Sequence, residues 1–345
     1  MNSKQVASRT VISRCVILLI AAAPLAASTG CGWVQNIALD MTSEVLLEGS
    51  KAINEEPDPQ MVRDSMPGNL KTVEVMLKAN PGNLNLLYML AQGFDAYTYL
   101  VVEDDIDLAD AAGDTAKVRE LRARASSLYA RAQGYAAKLI RTKDTPSTEM
   151  RKTLETGTLD QVKAALAKLG KDDVPGLFWY TYGWTGRINV DQSNPERIAE
   201  LPRVELLLGR ILELDPGYFH GLPLVLSGSL YTSRGAMFGG DLPRGNALFE
   251  RAVKASEGKF LLAKFTWARY YALQAQDKAL FCRLLKEVVD APTDLLPEQQ
   301  MMNNVSQRWA SRWMDRASSL FEDGQGCETP ETGSTETKEA DDELL

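Results

Sequence analysis

The chain has 345 residues, 45% hydrophobic and 24% charged, with a formal charge of −8. That length suffices for one large domain or a repeat array with a sizeable core. Lys4, Arg9 and Arg14 give the first thirty residues +3, and nine acids against Lys338 give residues 322–345 a charge of −8. The body between them is therefore near −3 and has no basic footprint for nucleic acid.

The N-terminus reads as a signal peptide over residues 1–30. Three cations precede an apolar stretch from Val16 to Ala27 that is too short to span a bilayer. Ser28-Thr29-Gly30-Cys31 follows, with small residues at the two positions before the cysteine. This predicts cleavage before Cys31 and lipidation of its thiol, which places the protein on a membrane surface. Ser28 stands where bacterial lipoproteins usually carry Leu, so ordinary cleavage near Ala27 is the competing reading. Several acyl chains on Cys31 would anchor stably, where one binds only marginally.

Residues 33–53 predict an amphipathic helix with Trp33, Ile37, Met41, Val45 and Ile53 near one face. Residues 54–69 read as a polar loop holding Pro57, Pro59, Pro67 and Gly68. From Leu70 to about Leu320 the pattern is helical. Thr145-Pro146, Asp173 before Pro175, Asn194-Pro195 and Asp241 before Pro243 predict helix N-caps. Residues 322–345 are acidic and lack aromatics, which predicts a disordered tail. Export would permit a disulfide between Cys282 and Cys327. A polar tail gives such a bond little reason to persist, so Cys282 reads better as a small buried apolar side chain.

Two segments match in spacing: Met76 to Gly82 (MLKANPG) and Ile211 to Gly217 (ILELDPG). Each looks like the end of a second helix of a tetratricopeptide pair, where proline stops the helix. Leu87-x2-Leu90-Ala91-x2-Phe94 fits a first helix. Ala125-x3-Tyr129-x2-Ala132 and Gly245-x3-Phe249-x2-Ala252 fit second helices. The fold class is therefore all-α, an array of degenerate tetratricopeptide-like hairpins over residues 31–321. Stacked hairpins of this kind form a concave or grooved binding surface.

A resemblance to a known family rests on several stretches in order. They are Asn69-Leu70 through Asn80-Pro81-Gly82-Asn83, then Tyr97, Leu128 to Ala132 with Tyr135, and Phe178-Trp179 with Gly183-Trp184. Leu214 to Gly221, Phe238-Gly239-Gly240-Asp241, Phe249-x2-Ala252 and Ala268 to Tyr271 follow. Over about residues 40–320 the sequence resembles the T-component family of tripartite ATP-independent periplasmic (TRAP) transporters. The resemblance implies a periplasmic lipoprotein of cryptic tetratricopeptide repeats. It also implies cooperation with the soluble substrate-binding component of an importer for organic acids or other small ligands.

The residues offer little for catalysis. His220 is the single histidine and sits between Phe219 and Gly221 in a turn, a structural position. No Ser-His-Asp or Cys-His set can be assembled, and the CxxC and HExxH zinc motifs are missing. Glu103, Asp104, Asp105, Asp107, Asp110 and Asp114 lack the ligand spacing of a calcium loop and read as a solvated helix end. Gly239-Gly240-Asp241 reads as a tight turn followed by a cap. The chain is thus expected to be non-enzymatic, without metal or cofactor.

FWYTYGW at residues 178–184 is the densest aromatic cluster. On a helix its rings point in every direction, which predicts core packing. One wall of a ligand pocket is the sharper alternative, with Tyr182, Trp184 and Arg187 as polar tips. In that case Trp179 belongs to the core, and Trp184 opens on the pocket beside the space left by Gly183. Tyr231 and Arg234 are a second candidate pair. Arg234 could meet a carboxylate ligand or close a helix C-terminus. The expected partners are the periplasmic substrate-binding protein of a TRAP-type transporter and a membrane, the outer membrane, through the lipid. A homo-oligomer is open. The competing function is an envelope adaptor of the same fold that binds only proteins.

Overall fold

The computed structural model describes residues 39–292 and 294–327. The leader, Cys31, Trp33, Ile37 and residues 328–345 lie outside the described residues. Those described are helical throughout, with no strand among them, so the protein is all-α. No described helix is long and apolar enough to cross a membrane. The helices gather into two compact units that meet in sequence between Asp215 and Pro216.

The first unit begins with a helix over 39–49, here α1, and a short α2 (Lys51–Glu55). The predicted apolar stripe of this region does not face the core. Met41 and Val45 are 65% and 73% exposed, while Ser43 is fully buried. The docking face is polar instead. Asp40 accepts hydrogen bonds from the Asn80 and Asn83 amides at 2.8 and 2.7 Å, and Ser43 accepts from Asn83 at 2.9 Å.

The predicted loop over 54–69 is also corrected, because α3 runs Pro59–Ala79 and contains Pro67. Asp58 accepts from the Gln60 amide and Pro59 opens the helix, a position where its missing N–H costs nothing. Val62, Met66, Leu70 and Leu77 then form a buried stripe. Burial of that stripe outweighs the single backbone hydrogen bond that Pro67 removes.

At the turn of Asn80-Pro81-Gly82, α3 stops and α4 (Leu84–Tyr97) starts, with Asn83 accepting from Leu86 N. Leu87, Leu90, Ala91 and Phe94 are all buried, as their spacing predicts. The helix widens into a π turn over Thr98–Glu103 and resumes as α5 (Asp104–Ala111). Most of the acid run lies on α5, where Asp105 pairs with Arg63 at 2.5 Å. Asp114 instead caps α6 (Thr115–Ala136). Ala125, Tyr129 and Ala132 are buried on α6.

Two short helices, α7 (Ser147–Thr156) and α8 (Leu159–Leu166), precede α9 (Val174–Val190). Then come α10 (Pro195–Ile198) and α11 (Leu201–Leu214). Within the unit, α4 packs on α3 and α6, and α9 packs on α4, α6 and α11. Of the predicted caps, Asn194 and Asp241 accept from backbone N–H groups two and three residues on. Thr145 does not cap: Pro146 precedes α7 without a side-chain bond. Asp173 bonds back to Gly170 N at 2.8 Å.

The second unit opens with α12 (Tyr218–Thr232), whose Phe219, His220 and Gly221 all have positive φ. A Cβ on Gly221 would stand 3.2 Å from Ala255 Cβ. This left-handed turn lays His220 against the Phe260 ring at 5.5 Å. Burial holds the imidazole below its ordinary range, against a weaker pull from Glu298. The other helices are α13 (Leu242–Ala255), α14 (Leu261–Thr266), α15 (Lys278–Val289), α16 (Gln300–Asp315) and α17 (Ala317–Leu320). Gly245, Phe249 and Ala252 are buried on α13, which packs against α12.

Cys282 and Cys327 form a disulfide, which corrects the expectation of an unpaired Cys282. The cause is the path of the chain after α17. Phe321 packs edge-on against Phe281 at 5.1 Å, and Asp323 pairs with Lys278 at 2.9 Å. These contacts bring the two Cα atoms to 5.5 Å, inside bridging range. Residues 322–327 are thus tied to α15, and the polar tail predicted from 322 is anchored over its first six residues.

Candidate functional site

Helix α9 presents three stripes, because residues three and four apart share a face. Phe178 and Tyr182 lie on one, Trp179, Gly183 and Gly186 on the next, and Tyr180, Trp184 and Arg187 on the third.

The glycine stripe faces α6. A Cβ on Gly186 would meet the Tyr129 ring at 2.6–2.7 Å, and one on Gly183 would meet Tyr129 O and Asp95 Oδ1 at 3.0 Å. Gly183 therefore does not open a pocket beside Trp184; its space is taken by the α6 backbone and the Asp95 carboxyl. Nor do the two indoles divide between core and cavity, since Trp179 and Trp184 are each 3% exposed.

Asp95 sits on α4 with no exposed surface, and neither carboxyl oxygen has a hydrogen-bond partner among the described residues. Burial pushes this group well above the usual carboxylate range. Beside it the buried Tyr129 donates to Glu103 Oε1 at 2.5 Å. Burial first, and then Glu103 and Tyr182, raise this phenol. Tyr182 contacts Phe178, Trp179, Tyr99 and Tyr129 with ring centroids 5.7–6.4 Å apart.

The third stripe is polar at its tips. Trp184 donates from Nε1 to Glu200 Oε2 at 2.6 Å, and Arg197 pairs with the other oxygen at 3.1 Å. Tyr180 donates to Glu155 at 3.2 Å, and Glu155 pairs with Arg151 at 2.8 Å. Arg187 donates from Nη1 to Gln133 Oε1 at 2.6 Å. Of the candidates in this unit, Trp184 and Arg187 share a face and Tyr182 lies on another.

Tyr231 and Arg234 belong to the second unit. The Arg234 Nε donates to Leu230 O at 2.8 Å, the helix-closing role. Arg244 lies 4.0 Å and Arg234 5.5 Å from the Tyr231 ring centre. The Gly239-Gly240 turn holds this arrangement. Gly239 takes positive φ, and a Cβ on Gly240 would fall 1.9 Å from Arg234 O. Asp241 then caps α13 through Arg244 N. The same turn exposes Met237 (95%) and Phe238 (66%).

Sequence reasoning missed Asp95, Gln133, Glu155, Arg197 and Glu200, and it read Glu103 as part of a solvated helix end, whereas Glu103 accepts from the buried Tyr129. Only Asp95 left a signal, an acid directly after Phe94 in an otherwise apolar helix.

These features define an all-helical protein whose helix α9 carries polar groups against half-buried acids and a buried amide. A family model described as TRAP transporter T-component matches residues 55–321. The chain belongs to that family, whose members are accessory components of TRAP transporters at the periplasmic side of a membrane. A protein from Treponema pallidum (strain Nichols), described as uncharacterized, is 21% identical over 265 residues, which cover 77% of this chain and 80% of that protein.

Proposed function

We propose that this protein is a non-enzymatic, lipid-anchored periplasmic accessory of a TRAP-type import system. On this reading Cys31 carries the lipid and holds the helical hairpins at the outer membrane. The tetratricopeptide-like surface docks the substrate-binding component and receives its ligand at Arg187 on the polar stripe of α9. The observation that carries this reading is the family match over residues 55–321. The Cys282–Cys327 disulfide supports it, because such bonds persist in oxidising compartments.

Two measurements test the reading. Wild-type protein should incorporate labelled palmitate and pellet with membranes, while Cys31→Ala should do neither and keep its helical circular dichroism. The wild type should also retain the substrate-binding component of a TRAP-type transporter on an affinity column. A palmitate-free wild type removes the anchor, and no retention of that component removes the transport role.

A further inference from the structure

The turn between α12 and α13 presents two adjacent apolar side chains to solvent. Met237 is 95% and Phe238 66% exposed. Main-chain bonds close the loop beneath them. Phe238 N and Gly240 N donate to Gly235 O at 2.9 and 3.2 Å, and Asp241 N donates to Tyr231 O at 2.9 Å. A Cβ on Gly240 would overlap Arg234 O, so backbone fills the inside of the turn and neither side chain can fold under it. Single exposed apolar residues are ordinary on a protein surface. An adjacent pair at the tip of a backbone-braced loop is a contact element.

The helix that leaves this loop is basic on one flank. Arg244, Arg251 and Lys254 are exposed on α13 at spacings of seven and three, which share a side of the helix. Gly245, Leu248, Phe249 and Ala252 are its buried residues. Arg244 stands at the root of the loop, 4.0 Å from the Tyr231 ring centre. Arg251 and Lys254 follow it about 10 and 15 Å along the axis. None of the three forms an ion pair among the described residues. The acids of this segment are engaged: Asp241 caps α13 through Arg244 N, and Glu250 accepts from Asn246, each at 2.9 Å. Residues 234–255 hold four cations and two acids, a local charge of +2 in a body near −3.

An apolar tip beside a row of cations fits an anionic bilayer surface, where apolar side chains enter the headgroup region and Lys and Arg meet lipid phosphates. A protein partner fits less well. Two side chains, the aromatic one burying roughly 150–250 Å², fall short of the roughly 800 Å² that each side of a specific interface covers. A bilayer sets no such threshold. We propose that the 235–240 loop and the basic flank of α13 dock on anionic phospholipid. The contact belongs to the second unit and is separate from Cys31. It rests on the membrane placement in the function proposed above, and adds to it the face of the second unit that meets the bilayer. Two apolar side chains and three cations give a reversible contact that salt strips. It therefore orients the anchored protein and does not replace the lipid.

The test uses the chain from residue 31 onward with Cys31→Ser, which excludes acyl chains. The probes are vesicles of phosphatidylcholine alone or with about one third phosphatidylglycerol. Co-sedimentation at low salt should show binding to the anionic vesicles about tenfold or more above the neutral ones, and a fall as salt rises. Met237→Ser with Phe238→Ser, and separately Arg251→Glu with Lys254→Glu, should each weaken it about tenfold or more at an unchanged melting temperature. An environment-sensitive dye on Met237→Cys should shift to the blue on anionic vesicles. Equal binding to both vesicles, no binding at low salt, or unchanged binding in either double variant overturns the proposal. So does a dye that stays in water while the Met237 and Phe238 double variant loses retention of the substrate-binding component, which would make the tip a protein contact. Palmitate incorporation by the wild type decides the anchor separately. A labelled wild type without vesicle binding by the Cys31→Ser chain removes the loop contact alone; an unlabelled wild type with vesicle binding removes the anchor alone and supports the loop contact.

Discussion

Asp95 is the residue whose chemistry departs furthest from its sequence context. Burial raises the pKa of its carboxyl in the fold well above that of the unfolded chain. A raised folded pKa means a contribution that is complete below the unfolded value and declines as pH rises towards the folded one. Asp95→Asn removes this titration. The stability of the variant relative to wild type should therefore grow between pH 4.5 and pH 8, measured by urea denaturation; a constant difference would show a solvated carboxylate. Glu74 runs the other way. Burial acts to raise it, but hydrogen bonds from Lys71, Tyr135 and Arg131 prevail and bring it to about 2. Glu74→Gln should thus cost stability at neutral pH, and the difference should shrink as pH falls below about 4. Neither behaviour was legible in sequence, because burial among distant helices raises one carboxyl, while Tyr135 and Arg131 on α6, with Lys71, lower the other. Trp179 and Trp184 teach the same lesson. The glycine beside Trp184 suggested different roles for them, yet equal burial predicts that either Trp→Ala change costs about 3–5 kcal/mol in equilibrium denaturation.

At the scale of elements, local signals were the readable ones. The Asn-Pro-Gly and Asp-Pro-Gly stops end α3 and α11 where their spacing implies, and Asn194 and Asp241 cap as expected. The packing faces of α4, α6 and α13 were readable too, while those of α1 and of Gly183 on α9 were not. The outward Met41 and Val45 and the inward Ser43 are set by three asparagines around the α3–α4 turn, forty residues further on. The glycine stripe of α9 was likewise read as free space, when it is the seat of a neighbouring helix. Gly186→Ala should therefore destabilise by about 1–3 kcal/mol through overpacking against Tyr129. Shortening the opposing ring should relieve it, so Gly186→Ala with Tyr129→Leu should fall short of the sum of the single losses in a double-mutant cycle.

For the whole molecule, the all-α class and family were legible across most of the chain, since helical periodicity and capping recur along it. The division at Asp215 and Pro216 was not, because the stop there looks the same as the one at Asn80-Pro81-Gly82. The covalent clamp of the second unit was also hidden, as it depends on Phe321 returning to Phe281 across forty residues. Closing a loop with a separation of 45 residues should stabilise by about 4 kcal/mol in the chain-entropy account. Replacing both cysteines by serine, or deleting 322–345, should lower the melting temperature of the second unit; an unchanged melt would show the clamp to be passive.

The same bond gives each molecule a chemical record of its route. The second unit is not covalently complete until Cys327 has left the reducing side of the membrane. A copy stalled in the cytoplasm should keep both thiols, and in a delivered copy the peptides carrying Cys282 and Cys327 should be joined, two hydrogens lighter than their sum. Non-reducing peptide mass mapping on a fractionated cell would thus count how many copies have arrived.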